Sequence, residues 1–215
     1  MIEQLAGMGI AANLLPLGVD LEQWPPRVPV PRDSARPAQL LHVASLNRVK
    51  DQPTLLRAMQ QLAATGTEFS LDIVGEDTLR GEVQALAANL SLGARVRFHG
   101  FKTQRQLRPM VEPADVLVVS SRHEAGPIVV IEAAAAGVPT VGTAVGNVRD
   151  WAPDATVAVP TGDFVALGNA LADVLADEPR RLRLAVQAHQ RALECSAVRT
   201  AKQLVAGIAT AVASR

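Results

Sequence analysis

Tyrosine is absent from this 215-residue chain, and aromatic residues make up only 3% of it. That scarcity argues against a carbohydrate-binding module built on Trp and Tyr platforms and leaves recognition to polar groups. Cys195 is the single cysteine, which rules out an internal disulfide and a cysteine-rich zinc site and fits a reducing compartment. Net charge is missing too. Lys plus Arg balance Asp plus Glu at 21 each, leaving no basic field for nucleic acid and no acidic tail. No uninterrupted apolar run of about 18 residues offers a transmembrane segment. Met1-Ile2-Glu3-Gln4 lacks the basic opening of a signal peptide, so a cytoplasmic protein is expected.

Several catalytic signatures are also lacking. There is no P-loop, no Asp-x-Asp pair and no His-x-x-x-His pair, with His42, His99, His123 and His189 scattered along the chain. No metal is expected. Gly7-Met8-Gly9-Ile10-Ala11-Ala12 fits G-x-G-x-x-A, but Met1 to Ala6 reads as helix, so the strand that a dinucleotide fingerprint needs is missing. Asn89-Leu90-Ser91 is a sequon of the kind that arises by chance.

What the chain has is 48% hydrophobic residues, arranged as alternating strand and helix patterns. Residues 1–9 read as a helix end closed by Gly9, with an extended piece from Asn13 to Asp20. Five prolines between Trp24 and Pro37 make that stretch a linker, because neither a helix nor a central strand tolerates them. Beyond Gln39 the expected order is strand Leu40 to Ser45, helix from Pro53, strand Phe69 to Val74, helix from Leu79, strand Val96 to His99 and helix after Thr103. It continues with strand Val116 to Ser120, helix from Pro127, strand Val138 to Gly142, a helical turn near Asn147, strand Thr156 to Val159, and helix from Asp163 to the end. Near-continuous apolar strands such as Val116-Leu117-Val118-Val119 suit a doubly wound, Rossmann-like parallel sheet covered on both faces, with extra C-terminal helices. The division expected is 1–38 linker, 39–195 compact α/β domain and 196–215 C-terminal helix.

Ligands of open parallel sheets bind beyond the carboxyl ends of the strands, which directs attention to Ser121-Arg122-His123-Glu124-Ala125-Gly126-Pro127-Ile128 and to Asn47-Arg48-Val49-Lys50-Asp51. Gly126 permits close backbone approach, and Pro127 opens a helix whose free N–H groups suit a phosphate. Glu132 is the one polar residue between Pro127 and Ala136, on a helix expected to be buried all round, so its carboxylate needs donors. Ligand hydroxyls are one source; backbone N–H groups or Arg149 are the other. Glu124 is either a ligand-bracketing acid or a solvated loop residue. Lys50 suits a diphosphate, or else is a solvated loop lysine or a partner for Asp51.

In these segments the chain resembles the donor domain of glycosyltransferase family four, enzymes of the GT-B fold with two facing Rossmann-like domains. The resemblance runs from about Leu15 to Ala209. It is most specific in the E-x7-E signature from Glu124 to Glu132, followed by Gly137-Val138-Pro139-Thr140-Val141; His99-Gly100-Phe101 is similar to a loop that lies near the nucleotide base. The resemblance implies a retaining hexosyltransferase using a UDP-sugar or GDP-sugar. It implies Lys50 on the diphosphate, Glu132 on the ribose hydroxyls, Glu124 on the donor sugar, and backbone N–H groups around Gly126 to Ile128 on sugar and phosphate, with Ala125 and Pro127 in the same donor-binding loop. It also implies an N-terminal acceptor domain or subunit outside this chain, making residues 1–38 an interdomain linker. Where the family often has Gly-Arg-Leu, this chain has Ala44-Ser45-Leu46, so Arg48 is the arginine left to stand in. Glu124-Ala125-Gly126-Pro127 replaces the common Glu-Gly-Phe-Gly. A non-catalytic nucleotide-sugar-binding or partner module, or a fragment of a GT-B epimerase or phosphorylase, would share the same pattern.

Overall fold

A computed structural model describes residues 6–10, 12 and 15–213, and side chains through 210. The expected N-terminal helix end is seen only in its last residues, with Gly9 turning at φ +74; residues 1–5, and Asn13 and Leu14 of the extended piece, lie outside the described residues.

Among the described residues six strands form one parallel sheet in the order β3-β2-β1-β4-β5-β6. The strands are β1 (Ala38–Val43), β2 (Phe69–Val74), β3 (Val96–Phe98), β4 (Val116–Val119), β5 (Thr140–Thr143) and β6 (Thr156–Val159). Between them run α1 (Gln52–Ala64), α2 (Glu82–Asn89), α3 (Gln104–Val111), α4 (Ile128–Ala135) and the short α5 (Gly146–Asp150). Three helices follow the sheet: α6 (Phe164–Ala176), α7 (Glu178–Glu194) and α8 (Ala197–Ala213).

The strands are apolar on both faces because each face has its own core. In β4, Val116 and Val118 join one cluster while Leu117 and Val119 join the other, the two-residue period of a strand covered twice. Helices α1 and α6 pack together over the first face, and α4 and α7 over the second. Leu55, Leu56, Met59 and Leu62 of α1 are fully buried, each worth roughly 1.5–3 kcal/mol of transfer free energy. Their spacing of three and four residues is what commits this segment to an amphipathic helix.

The caps follow the sequence. Asp51 accepts from the Thr54 N–H at 3.4 Å, Gln106 Oε1 accepts from the Thr103 N–H at 3.1 Å, and Asp163 accepts from the Ala166 N–H at 2.9 Å. Each satisfies helix-terminal groups that would otherwise lack partners. The expected helix from Leu79 begins only at Glu82, after a turn ending in Gly81 at φ +89. The helix expected to be buried on all sides is buried only from Val130 onward, since Ile128 at its start remains 37% exposed.

After β3 the chain crosses to the other side of β1 to make β4, so the connections leaving the carboxyl ends of the parallel strands β1 and β4 run in opposite directions and leave a crevice between them. A close approach on the β2 side fixes one wall. A Cβ on Gly75 would lie 1.9 Å from the Ala44 carbonyl oxygen, so only glycine lets β2 end against β1.

Residues 19–24 run along the second face. Val19 N–H donates to the Cys195 carbonyl and Ala197 N–H to that of Val19, both at 2.8 Å, and the Trp24 side chain is buried in the second cluster. Helix α8 leaves the core after this bridge. Leu204 and Ile208, one turn apart along it, are both exposed; Val212 lies beyond the described side chains. Among the described residues no helix is long and apolar enough to cross a membrane.

Candidate functional site

The β1–α1 loop is shaped by Asn47, whose Oδ1 accepts the N–H groups of Val49 at 3.0 Å and Lys50 at 3.1 Å. Asp51 then caps α1 from a left-handed conformation at φ 48, a strained geometry for a non-glycine residue. The strain is held by neighbours: Arg122 Nε meets Asp51 Oδ2 at 2.9 Å. From the β4–α4 loop, Arg122 N–H also donates to the Val49 carbonyl at 2.8 Å, and the Ser120 hydroxyl donates to that of Lys50 at 2.7 Å. Lys50 therefore does not pair with Asp51; its ammonium reaches across the crevice to the Glu124 carboxylate.

That Glu124 oxygen also accepts from the Ser121 hydroxyl at 2.8 Å, so Glu124 is anchored rather than solvated. Pro127 precedes the first turn of α4 and is backed by the start of α5. There Gly146 turns at φ +43, and a Cβ on it would meet Pro127 Cδ at 2.7 Å. Ile128 and Val129, the first two helical residues, line the crevice, which places the positive end of the helix on its wall.

The crevice is a cavity of about 250 Å³ whose lining includes Lys50, Ser121, Glu124, Pro127, Ile128 and Glu132. Its floor is His42 of β1, 2% exposed. His42 Nδ1 bonds the Val118 carbonyl at 2.9 Å, and Gln52 Nε2 lies 3.3 Å from His42 Nε2. Burial is the main reason its pKa is pushed down to about 4, with Lys50 reinforcing the shift and the Val118 carbonyl and Glu124 opposing it. A neutral ring with Nδ1 as donor and Nε2 as acceptor fits both bonds.

Glu132 is 4% exposed. Its donor is neither a backbone N–H nor Arg149, which pairs with Asp150, but the amide of Gln104 at 2.8 Å. Gln104 Oε1 in turn accepts from the indole N–H of Trp24 at 2.9 Å. Burial pushes the Glu132 carboxyl above its ordinary value, and the Gln104 amide and the Trp24 indole pull the other way without cancelling it.

The remaining sequence candidates do not line this cavity. Arg48 points outward, 72% exposed, to an ion pair with Glu82, because the Asn47 turn sends residues 48 and 50 to different sides. Gly100 accepts from the Gly75 N–H at 2.9 Å and Phe101 is 71% exposed; both follow β3, on the β2 side of the crevice. Beside them His99 Nε2 bonds Asp72 Oδ1 at 2.7 Å. Ala125 and Gly126 lie in the turn before Pro127, away from the lining, with Gly126 facing Asn147. Four contributors were not singled out from sequence: Trp24, Gln104, Ser121 and the buried His42. Gln104 is the first helical residue after the Thr103 cap, a position that fixes its place in α3 but not its partner.

The model of the family described as "Glycosyl transferases group 1" matches residues 30–191. Over 193 residues the chain is 30% identical to a glycogen synthase of Mycobacterium tuberculosis, covering 88% of this chain and 46% of that protein. It is 32% identical over 195 residues to a D-inositol 3-phosphate glycosyltransferase of Xylanimonas cellulosilytica, covering 82% and 46% respectively. The chain thus spans about half the length of these curated relatives. Among solved structures it is similar to sucrose-phosphate synthase from Thermosynechococcus elongatus, at TM-score 0.86 and 26% identity over 100% of this chain and 56% of that one. HepE of Anabaena, in complex with UDP-glucose, superimposes at TM-score 0.75 and 19% identity over 90% of this chain and 56% of that one.

Proposed function

Given that this chain belongs to the glycosyl transferases group 1 family, we propose that it binds a nucleoside diphosphate sugar and forms the donor side of a retaining, family-four GT-B enzyme. The observation that carries the reading is the convergence of Lys50, the first turn of α4, Glu124 and Glu132 on one crevice at the switch point of the sheet. Those groups match a nucleotide sugar part by part. The ammonium of Lys50 and the helix terminus suit the diphosphate, Glu124 suits hydroxyls of the sugar, and Glu132 suits the ribose diol. HepE, a protein of the same fold, was solved with UDP-glucose in place, which supports this ligand class.

Transfer breaks the bond between the anomeric carbon and the diphosphate oxygen, so negative charge grows on the leaving group. Lys50 and the α4 terminus are placed to offset that charge without a metal. The acceptor hydroxyl would be held by a second domain, in keeping with the share of its relatives that this chain spans. Bringing donor and acceptor together and closing the crevice to water then falls to the pair of domains.

Thermal denaturation of the 215-residue chain with UDP, GDP, ADP and their sugars tests the reading. A ligand at one hundred times its dissociation constant stabilises by about 2.7 kcal/mol, so the preferred base should stand out, and mixtures with acceptor sugars should give no glycoside. Absence of stabilisation by every nucleotide, or turnover by this chain alone, would overturn it.

A further inference from the structure

Trp24, Gln104 and Glu132 form a chain of two hydrogen bonds whose direction is fixed by chemistry. The indole N–H can only donate and an ionised carboxylate can only accept. The amide between them is therefore locked with its oxygen toward Trp24, at 2.9 Å, and its nitrogen toward Glu132, at 2.8 Å. Both ends of the relay are buried, Trp24 at 3% and Glu132 at 4% exposure. Gln104 lies at the partition between the donor crevice and a larger groove of about 650 Å³ lined by the linker and α3.

We propose that Gln104, held by Trp24, is a positioning residue that orients Glu132 toward the ribose of the nucleotide; this rests on the reading of Glu132 as the ribose acceptor. One carboxylate oxygen is occupied by the amide, which stops the side chain from rotating and turns the other oxygen toward the cavity. The same bond pulls the carboxyl pKa down against the burial that raises it. The other titratable groups facing that cavity are His42, Lys50 and Glu124. Glu22 and Arg105 line the groove on the linker side, and His189 of α7 meets the Ala134 carbonyl at the back of α4. Trp24 belongs to the linker, so the position of the linker is felt at the nucleotide through a single amide.

The test pairs each of UDP, GDP and ADP with its 2′,3′-dideoxy form, in calorimetric titrations of wild type, Gln104→Ala and Trp24→Phe. The tighter binding of the ribose form should drop about tenfold in Gln104→Ala, and less in Trp24→Phe, with affinity for the dideoxy forms unchanged. A wild-type chain that does not distinguish the two forms would instead defeat the reading of Glu132. Full ribose preference retained in Gln104→Ala would defeat the positioning role alone. A ligand-free measurement stands beside these: carbon-13 titration of the Glu132 carboxyl should move to higher pH in Gln104→Ala. An unmoved titration overturns the proposal even if no nucleotide binds.

Discussion

The ammonium of Lys50 is bonded to the carboxylate of Glu124, the acid that opens the E-x7-E signature, with both side chains only partly exposed. In the proposed complex a diphosphate would compete with Glu124 for this cation. Glu124→Gln removes the competitor, so binding of the free nucleoside diphosphate should hold or tighten by about 0.2–1 kcal/mol, while the nucleotide sugar loses its advantage over it. Lys50→Met should weaken both by about 1.5–3 kcal/mol, the scale of a hydrogen bond to a charged group. Calorimetric titration decides the matter, and equal losses for sugar-bearing and sugar-free ligands in Glu124→Gln would count against the assignment of Glu124 to the sugar.

Glu132→Ala should cost about 1.5–3 kcal/mol of nucleotide binding, or one to two decades in dissociation constant. Its pH dependence has a defined sign. Burial raises the carboxyl pKa, so nucleotide affinity should fall on acidification at a higher pH than an ordinary glutamate would give. Stability runs the opposite way: the folded carboxyl holds its proton more tightly than the unfolded one, so stability falls as pH rises through the folded value. Glu132→Gln should accordingly raise the melting temperature at pH 7 while lowering affinity, a trade expected of a site kept for binding. Melting and titration series from pH 4 to 8 check both.

His42 predicts acid sensitivity. The folded pKa of about 4 lies below the unfolded value of about 6.5. The unfolded chain therefore binds more protons in between, and stability is lost as pH falls through that window. The loss is roughly 3 kcal/mol when complete, at about 1.4 kcal/mol per pKa unit. His42→Leu should flatten this slope in urea denaturation at pH 7 and pH 5, whatever it does to stability at pH 7.

Nucleotide-sugar binding should survive EDTA. Lys50 and the first turn of α4 line the crevice and would take the place of a metal against the diphosphate charge. Loss of binding on chelation, restored by Mg²⁺ or Mn²⁺, would contradict it.

The sheet was legible in the sequence because strands buried on both faces must be apolar throughout, as Val116 to Val119 are. The helix starts were legible at Asp51, Thr103 and Asp163 because capping is a local matter. In the site, the spacing from Glu124 to Glu132 carried over, since one loop and one helix contain both. Arg48 did not, because one turn of loop decides whether a cation faces the crevice or the solvent, and the Asn47 hydrogen bonds that set that turn leave no periodic trace. Gln104 was missed for a different reason. It meets Glu132 across 28 positions of sequence, and a neutral amide on a surface helix gives no local sign that a distant carboxylate will claim it.

The three bonds that tie residues 49–51 to Ser120 and Arg122 make the two crevice loops one mechanical piece, although about 70 residues of chain separate them. For anyone wishing to alter donor choice by transplanting segments from a relative, residues 44–51 and 120–127 constitute a single cassette. Exchanging one without the other would import a lysine without its tether, and the graft would fold with its cation adrift.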